Sequence, residues 1–213
     1  MSTNIERRFT AGRVELRARN SDKKTIGGYA AKFNKPSQNL GGFVEVVSNQ
    51  FFNKSRGDGW PDVLARYNHD DNMLLGTTAA GTLRLDLDNE GLLYDVDLPG
   101  SRGDVFELVE RGDVQKSSFA FIVFEDEWGT SDQGFPQRTL ITGSLRDVAP
   151  VNTPAYLDTS AGLRSLAEKF DADFEEVRKL PSANELTRFF QRTDRPSKRS
   201  AAAALAKVKA IKI

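Results

Sequence analysis

Cysteine is absent from the 213 residues, and histidine occurs once, at His69. The first absence removes disulfides, thiolate nucleophiles and thiolate metal sites together. The second excludes any mechanism or metal site that needs two imidazoles from this chain. Imidazole acid–base chemistry, if the chain performs it, has one residue to run through. Long apolar runs are missing too: none approaches the roughly 18 residues of a membrane span, and Met1 to Ala11 hold no signal-peptide-like apolar stretch. The sequence therefore reads as a soluble protein without an address. No Gly-x-Ser-x-Gly elbow occurs, and Arg56-Gly57-Asp58-Gly59 lacks the Lys-Ser/Thr that would make it a P-loop.

What is present suffices for a core. Apolar residues make up 38% and charged residues 28%, a balance that fits one sizeable domain with a terminal appendage. The formal net charge of zero hides a segregation. Residues 1–25 hold seven Lys/Arg against three Asp/Glu, residues 26–190 hold 16 against 26, and residues 191–213 hold seven against one. An acidic body with two basic ends suits docking on an acidic partner or folding back on the body, and equally suits plain solvation. The basic tail has no interleaved aromatics to stack bases, so it offers nucleic acid only nonspecific attraction.

Periodicity organises the chain. Thr82 to Leu87 and Leu92 to Leu98 alternate with period two around Asp88-Asn89-Glu90-Gly91 and predict an antiparallel hairpin with one wet face. Ser101, with Asp104 three positions on, predicts the N-cap of a helix running to about Arg111 and stopped by Gly112. Arg13 to Arg19 reads as an edge strand, and Ile26 to Phe33 as a strand in which Gly27-Gly28 marks a bulge or a close backbone approach. Phe43 to Val47 is a short strand, followed by a loop or short helix to Trp60. Ser118 to Phe124 is apolar after the serine and predicts a strand buried on both faces. Arg138 to Thr142 and Leu145 to Val151 supply two more strands. Beyond Thr159, apolar spacings of three and four predict helices over Gly162 to Phe170, Asp171 to Leu180 and Ser182 to Arg192. The last opens on the capping box Ser182-Ala183-Asn184-Glu185. The organisation expected is a β-rich domain over residues 1–165 with one inserted helix, then a helical, basic, partly mobile tail over residues 166–213.

Three side chains carry the candidate chemistry. His69 lies in a polar run between Val63-Leu64 and Met73-Leu74-Leu75, at a strand end; it is either an exposed loop histidine or a general base. Ser118 begins an apolar strand, from which its hydroxyl could face a cleft or simply bond local backbone. Ser117 points to the opposite face of an extended segment, so only one of the two serines can meet His69. Asp147 is a charge inside the mostly apolar run Leu145 to Val151 and wants a partner, with His69 and Arg138 as alternatives, since Arg146 lies on the other face. An aspartate on a wet strand face is the plainer reading. His69 with Asp70, Asp71 and Asn72 could contact a hard cation, but no further ligands stand at recognisable spacing, and no cofactor or metal is expected.

Four ordered blocks tie these residues together: Tyr29-Ala30-Ala31-Lys32-Phe33-Asn34, Asn68-His69-Asp70, Arg111 through Phe121, and Asp147 through Tyr156. Together they resemble the tailed-phage prohead protease family, capsid maturation serine proteases related in fold to herpesvirus assemblin, over roughly residues 14–165. The resemblance implies an α+β fold, a closed antiparallel β-barrel core with surrounding helices and a helical C-terminal tail. It implies a catalytic histidine and serine, which fall on His69 and Ser118, and an acidic third member, which falls on Asp147. Ser117 stands where the family typically has methionine, and Val151-Asn152-Thr153-Pro154 is more polar than usual. The implied activity is endopeptidase cleavage of the scaffolding segment of the major capsid protein, and of the protease itself, inside the prohead assembled in the host cytoplasm. No membrane and no sequence-specific nucleic acid is implied as a partner; self-association is compatible with the resemblance. Oxyanion donors would be backbone N–H groups near Ser118, or Arg138 or Arg146. The opposing expectation is a non-catalytic scaffold or capsid-binding module that kept the barrel.

Overall fold

The computed structural model describes residues 5–17, 23–152 and 160–180, together with Glu185, Leu186 and Phe190. The chain divides into two compact units, one of residues 1–37, 45–127 and 139–158, the other of residues 38–44, 128–138 and 159–213.

Alternating and apolar runs make the first unit mainly sheet. Its strands are β1 (Glu6–Leu16), β2 (Thr25–Lys32), β3 (Val44–Val47), β4 (Leu64–Arg66), β5 (Leu74–Thr77), β6 (Leu83–Leu87) and β7 (Gly91–Asp97). Most of β8 (Lys116–Thr130) and β9 (Pro136–Val151) completes it. The order is β5-β4-β9-β8-β1-β2-β7-β6, with β3 also on β9. The two ends approach each other: Thr77 N of β5 donates to Thr82 Oγ1, just before β6, at 3.0 Å, and a Cβ on Gly76 would lie 2.7 Å from Val96 Cγ2 on β7. The sheet is thus barrel-like and nearly closed. Two features depart from the closed antiparallel barrel expected from sequence. The ladder stops at β5 and β6, and β4 runs parallel to β9, with Leu64 opposite Asp147 and Ala65 opposite Val148. Parallel neighbours need a long connection, and β5 to β8 supply it here.

β1 corrects the edge-strand expectation. Its first half pairs with β8, Phe9 opposite Ser118, and its second half with β2, Val14 opposite Gly28, with a register shift between Thr10 and Arg13. A strand with many charges can be central when its two halves belong to different ladders. The glycines expected to mark a close approach do so: a Cβ on Gly28 would lie 2.2 Å from the Arg13 carbonyl oxygen, and one on Gly27 2.3 Å from that of Tyr94. The bulge itself falls later, between Tyr29 and Ala31. The hairpin of β6 and β7 forms as its alternation requires, with Leu85 opposite Tyr94. β9 is one continuous strand where two were expected. Gly143 lies within it, where a Cβ would sit 2.3 Å from the Phe51 ring.

Two helices belong to this unit, α1 (Asn53–Gly57) and α2 (Gly103–Arg111). α2 buries Val105 and Val109 and ends at Gly112, whose φ of 83° is left-handed and lets Asp113 N and Val114 N both reach the Leu108 carbonyl. Ser101 is not its N-cap: Gly100–Arg102 forms a 3-10 turn, and Arg102 caps without a side-chain hydrogen bond. The core is aromatic behind β8. Phe119 and Phe121 stack at 4.9 Å, and Phe51 and Phe52 meet them edge-on at 5.4 Å and 5.7 Å. Such pairs add about 0.5–1.5 kcal/mol each beyond their buried area. They hold β8 rigid from its inner face.

The second unit contains α3 (Ser160–Lys169) and α4 (Phe174–Arg178), where two of the three expected helices lie. Asp173 caps α4, its carboxylate accepting from Glu175 N and Glu176 N. Trp128 packs on Phe43 at 5.0 Å and donates from Nε1 to Ser165 Oγ at 3.1 Å. Of the expected helix from Ser182 to Arg192 only Glu185, Leu186 and Phe190 are described, and the basic stretch 191–213 lies outside the described residues.

The backbone crossing at Gly28 gives the fold's first test. Gly28→Ala should lower the unfolding free energy by about 1–3 kcal/mol, since a backbone carbonyl cannot swing away as a side chain can. The urea midpoint should fall at unchanged slope; a wild-type midpoint would show that β1 and β2 have room to part.

Candidate active site

Three neighbouring strands explain how distant residues meet. β9 lies between β4 and β8, and paired strands stand about 4.8 Å apart, so side chains on one face of adjacent strands are within reach. Asp147 comes from β9 and Ser118 from β8. His69 comes from the 3-10 turn Tyr67–His69 that follows β4.

That turn is built to throw the histidine inward. Asn68 and His69 both have positive φ, 55° and 57°. Left-handed backbone costs an L-residue about 1–2 kcal/mol, and asparagine and histidine are among the types most often found there. Tyr67 N to the Met73 carbonyl at 3.0 Å, and Met73 N to the Asp70 carbonyl at 3.0 Å, close the loop around it. The Asp70 carboxylate is spent on this loop, accepting from Asn72 N at 2.8 Å. Asn68 Oδ1 accepts from Asn152 N at 3.1 Å, tying the turn to the end of β9. His69 is 7% exposed, so the exposed-loop reading does not hold.

The structure brings the three sequence candidates together. His69 Nε2 is 2.6 Å from Ser118 Oγ, and His69 Nδ1 is 2.5 Å from Asp147 Oδ1. An ionised carboxylate only accepts, so the ring hydrogen belongs on Nδ1 and Nε2 is left as a bare acceptor. Asp147 has no exposed surface. Burial opposes its ionisation, but the hydrogen bonds and charges of His69 and Arg66 more than offset this and hold its carboxyl below the ordinary value. Arg66 is the partner that sequence reasoning missed: one guanidinium nitrogen bonds Asp147 Oδ2 and another bonds Asp71. Arg138, the alternative partner, is a buried residue of the second unit, and Arg146 is exposed on the opposite face of β9.

The serines separate as strand alternation requires. Ser117 points into the core, its hydroxyl 3.0 Å from the buried Tyr94 hydroxyl. Ser118, on the other face, is 0% exposed, and its hydroxyl also lies 2.9 Å from the Arg8 carbonyl oxygen on β1. One hydroxyl hydrogen therefore faces two acceptors, His69 Nε2 and Arg8 O. The arrangement can pass a proton from serine to imidazole while a fixed carboxylate balances the charge that develops. Among the described residues no group of three or more His, Asp or Glu side chains is placed to hold a metal ion. No described helix is long and apolar enough to cross a membrane.

Comparison with known proteins now adds the lineage. The chain belongs to the family described as caudovirus prohead serine protease, whose family model matches residues 12–172. No curated protein and no solved structure matches it.

The buried carboxylate predicts a pH dependence. A folded-state value below the unfolded one gives stability that is fully present above the ordinary aspartate value of 3.8 and lost as the pH falls through the folded value. In Asp147→Asn this contribution vanishes, so the fall of the urea midpoint below about pH 4 should become shallower than in wild type. An unchanged slope would place the acid sensitivity at other carboxylates.

Proposed function

We propose that the chain is a serine endopeptidase of phage capsid maturation, with Ser118 as nucleophile, His69 as general base and acid, and Asp147 as the group that orients and stabilises the imidazole. The observation that carries this reading is the continuous Ser118–His69–Asp147 hydrogen-bond chain, at 2.6 Å and 2.5 Å, in a chain with a single histidine. Membership of a prohead serine protease family supports it at the level of reaction class.

Ser118 Oγ bonds to the scissile carbonyl carbon as its proton moves to His69 Nε2. The C–N bond then breaks, and the same proton leaves on the departing amine. Water repeats the sequence on the ester and restores both residues. Asp147 stays ionised throughout. General base catalysis of this kind is worth about 10² to 10⁴ in rate, and each backbone donor to the oxyanion a comparable factor. Backbone N–H groups beside Ser118 are assigned that second task. The substrates are the scaffolding segment of the major capsid protein and the protease itself, cut within the prohead. Confinement supplies substrate at high effective concentration, so a shallow, weakly binding cleft is sufficient.

One observation favours a non-catalytic capsid-binding module instead: Ser118 is fully covered. Energetics weigh against that module. A buried carboxylate and a left-handed histidine each cost stability and serve no packing purpose. For the enzyme, whatever covers Ser118 has to move before a scissile carbonyl reaches Oγ.

Processing of capsid protein carrying its scaffolding segment, followed by mass, separates the two readings. Ser118→Ala should lose about 10³-fold or more in rate and lose labelling by a fluorophosphonate. Ser117→Ala should keep both, at a stability cost of about 1 kcal/mol from its Tyr94 bond. Intact capsid protein and unlabelled Ser118 in the folded wild type would leave the module reading in possession.

A further inference from the structure

The parallel pairing of β4 with β9 does more than bring His69 near. Leu64 is opposite Asp147, and Arg66, two residues on, points to the same side of β4. Its guanidinium consequently meets the Asp147 carboxylate from the flank that His69 leaves open. The two oxygens are divided between two partners, Oδ1 to His69 Nδ1 and Oδ2 to Arg66. A carboxylate held by imidazole alone can turn about its last torsion, which has only a broad two-fold preference. The planar guanidinium removes that freedom.

The same side chain also fastens the other half of the His–Asp bond. Its second terminal nitrogen bonds Asp71, five positions along, and so spans the base of the loop that holds Asn68 and His69 at positive φ. Asp71 is exposed at the loop tip, whereas the Arg66 side chain is 13% exposed. Arg66 Nε is buried with no hydrogen-bond partner among the described residues. An arginine selected for stability alone has no reason to carry that penalty; one fixed in place by two carboxylates accepts it. The charged or titratable groups meeting at this point are Asp147 on β9, Arg66 on β4, and His69 and Asp71 on the loop, while Ser118 faces them from β8.

We propose that Arg66 is a positioning residue: it locks the Asp147 carboxylate and the His69 loop in one arrangement, and so fixes the imidazole in the tautomer with its hydrogen on Nδ1. This rests on the proteolytic reading for its effect on turnover, but its effect on the imidazole does not depend on it.

The single histidine makes the test direct, because ¹⁵N-histidine labels one ring. Wild type should show one tautomer, with Nδ1 protonated at neutral pH. Arg66→Met should show a mixture of tautomers. Its kcat on capsid protein should fall about 10- to 100-fold with KM within about two-fold, as expected for a small misplacement of the reacting groups. Arg66→Lys keeps the charge but not the fork, and should recover part of kcat and part of the single tautomer. Asp71→Asn removes only the loop arm of this clamp, at an exposed contact, and should lower kcat by less than Arg66→Met does; an equal or greater loss would place the lock at Asp71 and not at the Arg66–Asp147 bond. A folded Arg66→Met with the wild-type tautomer overturns the inference, and should that variant fail to fold, a wild-type tautomer and kcat in Arg66→Lys overturns it equally. If wild type neither cuts capsid protein nor labels at Ser118, the proteolytic reading fails, and the ring spectra of the variants still decide the role of Arg66.

Discussion

An ionised carboxylate with none of its surface in water is unstable unless neighbouring donors replace its lost hydration, and Asp147 is such a group. The site is organised around supplying those donors. β4 runs beside β9 in parallel and delivers Arg66 from its end, and the turn beyond it delivers His69. Neither donor is dispensable: removing one partner of a buried ion pair typically costs about 3–5 kcal/mol, a large part of a domain's total stability. The carboxylate thus couples site to fold. The loop strain at Asn68 and His69 is held by the same contacts that hold the charge.

β8 is fixed from the opposite direction. Its inner face carries Ser117, Phe119 and Phe121, with Ser117 bonded to Tyr94 and the two phenylalanines enclosed by Phe51 and Phe52. Its outer face then has no freedom in where it presents Ser118. A single-residue slip of β8 would exchange the two serines and bury Phe119 and Phe121 on the wrong side, so the aromatic layer specifies which hydroxyl meets the imidazole.

Much of this was legible in the sequence because it is local. Alternation sets β6 against β7, separates Ser117 from Ser118, and makes Gly27-Gly28 a crossing point; all three depend on neighbours along the chain. The His69, Ser118 and Asp147 set became legible only through the order of four blocks, since nothing local says that β4 and β9 are neighbours. For the same reason Arg66 was missed. Its partner lies 81 positions away, and its side depends on a parallel register that no hairpin rule foretells. Ser101 misled because a serine before a helical pattern is a cap only if the chain is extended there, and here a 3-10 turn intervenes. The single strand β9 reads as two, because nothing local shows that Gly143 continues it while leaving space for the Phe51 ring.

The covering of Ser118 then constrains how a protease of this shape could work. Its hydroxyl hydrogen is shared in prospect between His69 Nε2 and the Arg8 carbonyl, and attack requires that it lie toward the imidazole. β1 changes partner at the register shift between Thr10 and Arg13, its first half belonging to β8 and its second to β2. The first half is held there by its β8 ladder and by Arg8, whose buried guanidinium bonds both Glu6 and Glu45. Glu6 and Arg8 share β1 whereas Glu45 belongs to β3, so the Arg8–Glu45 pair ties the two strands together. On the proposed reading, the strand whose Arg8 carbonyl competes for the Ser118 hydroxyl is thus anchored at a distance from the chemistry, by a backbone ladder and a buried ion pair rather than by the triad itself.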